Sequence, residues 1–126
     1  MRALRLSEQA KQQLIRLKSR TGIPHWNVLC RWALCLSLRQ DSPPSPVEVA
    51  ADSNVEIAWG VLGGEAHEVY LAALKARVAA DGLDPSDPEV LHRQLRLHVH
   101  RGIAYLATPG EVKSVADLTA LATEAP

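Results

Sequence analysis

His98 and His100, two residues apart, and the cysteines Cys30 and Cys35 are the side chains best suited to ligate a metal, move a proton or present a thiol nucleophile. Their spacing argues against each role. Two residues on a helix differ by about 200°, so the two imidazoles point to opposite sides and cannot share an ion. His98 falls in line with Leu91, Leu95 and Gly102 and reads as a core or interface histidine. His100 falls on a polar face with Glu89, Arg93 and Arg96, a candidate second anion contact. Five residues turn a helix by about 140°, which aims the two thiols at different faces and disfavours a disulfide. Neither cysteine has a CxxC spacing, His67 has no partner at ligand spacing, and both thiols sit in an apolar helical pattern where sulfur is usually inert. No Ser-His-Asp or Cys-His arrangement is apparent. The run from Trp59 to Gly64 has three glycines but lacks the Lys-Ser or Lys-Thr of a nucleotide loop, so it reads as close backbone packing. The expectation is a chain with no catalytic residue, no cofactor and no metal. A metal-dependent nicking nuclease built on His98, His100 or His67 is the disfavoured alternative.

Charge carries more information than catalytic chemistry does. Residues 1–40 hold eight Lys or Arg against one acid, Glu8, while the remaining 86 hold six basic residues and thirteen acids. The formal net charge of zero hides a basic module. Arg2, Arg5, Lys11, Arg16, Lys18, Arg20, Arg31 and Arg39 suit a polyanion, of which nucleic acid is the commonest. The turn TGIPH, Thr21–His25, leads into a helix N-terminus whose open amides suit a phosphate, with Thr21 and His25 as extra donors. The same charges would also serve as a solvated face, or be met by the acidic remainder folding back or pairing in an oligomer.

The elements that position these groups follow from periodicity. Arg2–Leu6 alternates as a short half-buried strand with Leu4 and Leu6 inward. Ser7 is an N-cap with Glu8 in the first turn; Ala10, Leu14 and Leu17 form the apolar stripe; Gly22 stops the helix. Lys11 and Lys18, and Arg16 and Arg20, flank that stripe. A second helix, His25–Arg39, is apolar on most sides except for Asn27 and Arg31, as a buried or interfacial helix would be. Asp41–Pro46 is a proline-rich linker. Val55, Ile57 and Trp59 alternate as a short strand. Ala58–Glu65 then turns into an alanine-rich helix ending at Gly82. Asp87 caps a helix that starts at Pro88 and runs to about Leu106. A short last helix spans about Ser114 to Ala122, with Ser114 and Asp117 as a capping box.

The expected fold is mainly α: a compact helical domain with a ribbon-helix-helix-like N-terminal strand-helix-helix and about five helices. A module of that type inserts paired strands into the major groove and must dimerise. The length suits one domain. No window nears 18 apolar residues and the start does not read as a signal peptide, so a cytoplasmic protein with no membrane partner is expected.

Two strings go further. TGIPHWNVLCRWALCLSL, residues 21–38, and HVHRGIAYL, residues 98–106, resemble signatures of the DndE family of bacterial DNA sulfur modification. The segment AWGVLGGE falls where that family has a similar glycine-containing stretch. The resemblance covers residues 1–107: a basic part at 1–40, the linker at 41–46 and an acidic helical part at 47–107. Residues 108–126 are left as an extension dispensable for the core function. It implies a non-catalytic, homotetrameric subunit that binds duplex DNA and prefers nicked duplex. Its implied partners are an iron–sulfur sulfurtransferase, an SMC-like ATPase and a cysteine desulfurase, with the sulfur chemistry belonging to them. An assembly scaffold that docks those subunits without touching DNA is the alternative. The implied DNA-binding positions are Lys11, Arg16, Lys18, Arg20, Thr21 and Gly22, to which the charge pattern adds His25, Arg2 and Arg5.

Overall fold

Leu4 and Leu6 alternate with Arg5, and the structure, a computed structural model that describes residues 1–123, buries both leucines. The strand β1 (Leu4–Arg5) pairs antiparallel with β2 (Glu56–Ile57), Leu4 opposite Ile57 and Arg5 opposite Glu56. The Leu6 N–H adds a bond to the Val55 carbonyl at 3.0 Å. The strand therefore finds its partner within one chain, and the ribbon does not need a second copy to satisfy its backbone.

Ser7 caps α1 (Glu8–Thr21) by accepting from the Ala10 N–H, and Gly22 ends it at φ 72, a left-handed conformation that favours glycine. The second helix, α2 (Trp26–Arg39), buries Leu29, Cys30, Ala33, Leu34, Leu36 and Ser37. As the spacing of the cysteines requires, Cys30 is buried and Cys35 exposed, both free. Burial pushes the Cys30 thiol up to about 12, which leaves it an inert packing group.

The segment that leads into the expected alanine-rich helix is itself partly helical. Trp59 belongs to a one-turn helix, α3 (Trp59–Gly63), not to the strand, and a 3-10 turn at Gly64–Ala66 separates it from α4 (His67–Ala80). Gly64 has φ 65, and the Arg31 guanidinium lies 3.2 Å from where its Cβ would be. Arg31 Nε donates to the Leu62 carbonyl at 2.6 Å, and Asn27 Nδ2 donates to the Val61 carbonyl. The polar stripe of α2 thus satisfies carbonyls at the end of α3 that no later turn of helix could reach.

Asp87 caps α5 (Pro88–Ala107) through the Glu89 N–H, with Pro88 in the first turn. The longest helix, α5 packs along α2 and α1 and makes the centre of the core. The closing helix, α6 (Val115–Thr123), lies against α1 and buries Leu118 and Leu121, while Val112 before it is also buried. Asp117 accepts from the Lys113 N–H, one residue earlier than a box centred on Ser114 would have it. Residues 108–123 therefore contribute to the core. Among the described residues the result is mainly helical, with five helices of nine residues or more.

Candidate nucleic-acid interface

The basic residues of α1 divide into two flanks. Ala10, Leu14, Leu17 and Thr21 face the core. At about 100° per residue, Lys11 and Lys18 lie on one side of that stripe, and Arg16 and Arg20 on the other, roughly 160° away. The side chains of Arg16, Lys18 and Arg20 are exposed and take part in none of the ion pairs or side-chain hydrogen bonds among the described residues. Lys11 is partly covered and donates from Nζ to Asn54 Oδ1 at 2.8 Å.

The turn after α1 presents less than its composition suggests. Thr21 is buried; its hydroxyl donates to the Leu17 carbonyl at 2.8 Å and accepts from the Ile23 N–H at 3.2 Å. Its proton is used inside, so the expectation that Thr21 supplies a donor to a phosphate is corrected. The Gly22 N–H goes back to the Lys18 carbonyl as the helix cap. His25 is exposed at the N-cap of α2 without a side-chain capping bond. The first amides of that helix open beside a shallow groove of about 560 Å³, lined by Lys18, His25, Trp26 and Asn27 on one side and Glu56 and Ile57 on the other.

Arg2 and Arg5 stand apart from these groups. The Arg2 guanidinium bonds Glu89 at 2.6 Å, and Arg5 bonds Glu56 at 3.3 Å and the Ser53 carbonyl at 3.0 Å. Arg2 holds the Glu89 carboxyl below the usual range. The acidic part of the chain does fold back, onto the strand and not onto the exposed cations of α1. Both pairs are open to solvent, where water and salt screen such contacts and they add little to stability.

On α5 the histidines are structural. His100 accepts from the Ser7 N–H at Nε2 and bonds the Arg96 carbonyl through Nδ1 at 2.7 Å. With both nitrogens occupied by backbone, it offers nothing to an anion, which corrects the sequence expectation. His92 Nε2 bonds the Ala3 carbonyl. His98 is fully buried, with Nδ1 2.8 Å from Ser37 Oγ. Among the described residues no group of three or more His, Cys, Asp or Glu could hold a metal ion.

Burial pulls the His98 imidazole down to about 4, and the nearby Arg101 and Arg77 cations act in the same direction. Burial also lowers His92 and His100. The folded state therefore resists protonation that the unfolded chain accepts near pH 6.5. Stability is full above that value and falls as pH drops from about 6.5 towards 4, by on the order of 3 kcal/mol for His98 alone. Urea midpoints at pH 7.5, 6.0 and 5.0 test this. The decline should shrink in His98→Gln, and a flat profile in the parent protein would contradict the assignment.

Spacing showed the α1 cations but not Arg77 and Arg101. Arg101 donates from Nε to Ser37 Oγ, and from Nη2 and Nη1 to the Ser37 and Ser42 carbonyls. Arg77 grips the same helix end. No local signal announces this, because the acceptors, the Ser37 hydroxyl and main-chain carbonyls, lie 35 or more residues away.

Fold and surface together define a class: a small, mainly helical protein that begins strand-helix-helix, uses the histidines of α5 as internal hydrogen-bonding groups and leaves the side chains of Arg16, Lys18 and Arg20 on its first helix unpaired. Within that class the chain belongs to the DndE family, whose profile, described as DNA sulphur modification protein DndE, matches residues 3–114. It is similar to DndE from Escherichia coli B7A, a protein involved in DNA phosphorothioation modification. The two are 26% identical with a TM-score of 0.70, over 84% of this chain and 96% of that one. A DndE G21/24K mutant shares the fold at 21% identity and a TM-score of 0.61, over 82% of this chain and 96% of that one. No curated protein matches the sequence. Among the described residues no helix is long and apolar enough to cross a membrane.

Proposed function

We propose that this chain is a non-catalytic DNA-binding subunit of bacterial DNA phosphorothioation, working in the cytoplasm as a homo-oligomer, a tetramer by family resemblance. The observation that carries this reading is the set of unpaired, exposed cations at Arg16, Lys18 and Arg20 on a DndE-family chain. Lys11, His25 and the open amides at the start of α2 extend the cationic surface. The Gly22 turn lets the chain reach that helix without covering it. Arg2 and Arg5 contribute at the margin, since a phosphate would have to compete with Glu89 and Glu56. Such contacts are directed at the backbone, so binding is weakly dependent on sequence and strongly dependent on salt. A nick adds flexibility where the duplex must follow two cationic flanks, which favours nicked over intact duplex.

Fluorescence anisotropy over a salt series tests the reading. Removing one cation that neutralises a phosphate should reduce the slope of log K against log salt by about 0.9, so replacing Arg16, Lys18 and Arg20 together by Ala should lower it by about 2–3. The parent protein should bind nicked duplex more tightly than intact duplex. Absence of binding at low salt, or indifference to salt, sinks the reading. Co-purification with other sulfur-modification subunits without affinity for naked DNA would favour an assembly scaffold instead.

A further inference from the structure

Between α5 and the segment after the proline-rich stretch lies a cavity of about 600 Å³, within the range of small-ligand sites. Arg93 and Arg96, three residues apart on α5, both line it, and neither guanidinium takes part in an ion pair or hydrogen bond among the described residues. Arg96 Nε is buried without an acceptor. A charged N–H in that position is unfavourable until an oxyanion reaches it. Arg2, also at the cavity, is already engaged by Glu89. The remaining carboxylate in the lining, Glu48, makes no ion pair with either arginine.

The opposite wall, residues 46–49, mixes Pro46, Val49 and a 62% exposed Val47 with the carboxylate of Glu48, and the buried Leu97 of α5 lines the cavity beside the arginines. From Glu48 to Ala51 the backbone makes no backbone hydrogen bond among the described residues. Unpaired main chain next to unpaired guanidinium and exposed valine matches three features of a polypeptide: amides, carboxylates and apolar side chains. A duplex phosphate supplies only one of them.

We propose that this cavity docks an acidic, valine- or leucine-containing segment of a partner protein. Its carboxylate is taken by Arg96 and Arg93, its apolar side chain by Val47 and Leu97, and its main chain by residues 48–51. The site is separate from the cations of α1, so it stands or falls independently of DNA binding.

The probe is a capped peptide of alternating valine and glutamate, with the valine–glutamine peptide as its neutral counterpart, titrated into the full chain labelled with nitrogen-15. The Arg96 Nε–H resonance should shift saturably with the acidic peptide and not with the neutral one. Arg96→Gln should weaken binding about tenfold while its helical circular dichroism and affinity for duplex DNA stay near those of the parent. Glu48→Gln, which removes a lining carboxylate that would repel the acidic peptide, should tighten binding about two- to threefold. Should Arg96→Gln fail to fold, Arg93→Gln and Glu48→Gln carry the same test. An Arg96 signal unmoved by the acidic peptide, or moved equally by the neutral one, overturns the proposal. A response to nicked duplex but not to the peptide also overturns it and assigns the cavity to the nucleic-acid surface.

Discussion

Gly102→Ala is expected to unfold this protein or leave it with only a small fraction of its stability. A Cβ at residue 102 would lie 1.9 Å from the Ala33 carbonyl oxygen, 2.4 Å from its carbonyl carbon and 2.6 Å from its Cα. All three are main-chain atoms in the middle of α2, so no side-chain rotation relieves the overlap. The two helices must move apart by roughly 1 Å or more to restore ordinary carbon–oxygen separation, and they form the most extensive helix pair of the core. Leu95, Val99 and Ile103 on α5, and Leu29, Cys30 and Leu34 on α2, would lose close packing together. Overpacking usually costs about 1–3 kcal/mol, and a rigid backbone clash belongs above that range. A domain has roughly 5–15 kcal/mol in total. Gly60→Ala is the matched control: it sits in α3 with nothing within 4 Å of the added methyl, and should be neutral or slightly stabilising. Urea unfolding followed by circular dichroism compares the two. A Gly102→Ala midpoint equal to the parent's would refute this account of the helix crossing.

That crossing shows where sequence reading stopped. Ser7, Gly22 and Asp87 were legible because capping is local: each acts on backbone within four residues. The inward set Leu4 and Leu6 was legible from alternation, and the flanks of α1 from the helical period. Thr21 does have a local signature, since a threonine in the last turn commonly bonds the carbonyl four residues back. Other features have no local signature. The carbonyls at the end of α3 are met by Arg31 and Asn27, which reach them from another helix. His100 is excluded as an anion contact by the Ser7 amide, 93 residues away in sequence. Its neighbours Arg93 and Arg96 lie on the same polar face with no such partner, so one stripe of α5 contains both a structural residue and two free cations. Periodicity finds a face; only the packing around it decides which members are already bound.

Arg77 tests the same distinction with a large expected effect. Sequence placed it in the acidic part, in a helix of mostly small residues. In the structure its Nε bonds both Asp81 oxygens at 3.1 and 3.0 Å, with both side chains only 12% exposed. Its other nitrogens donate to the carbonyls of Leu38, Gln40, Asp41 and Ser42, where α2 ends and the proline-rich stretch begins. A planar fork can address a carboxylate and several carbonyls at once, which a lysine ammonium cannot. Arg77→Ala leaves a nearly buried carboxylate without its cation and removes a donor from four carbonyls, of which only that of Ser42 keeps one from Arg101, and should cost about 3–5 kcal/mol. Arg77→Lys should recover only part of that loss. Much of the penalty is the stranded Asp81 charge, so Arg77→Met combined with Asp81→Leu should be markedly more stable than Arg77→Met alone. These variants are compared with the parent by urea denaturation at pH 7.5, where His98 is neutral in both folded and unfolded states and does not contribute. Additive losses in the double variant would show that the two charges act separately. Arg77 would then matter only through the carbonyls at the end of α2, a role that Arg101 already shares.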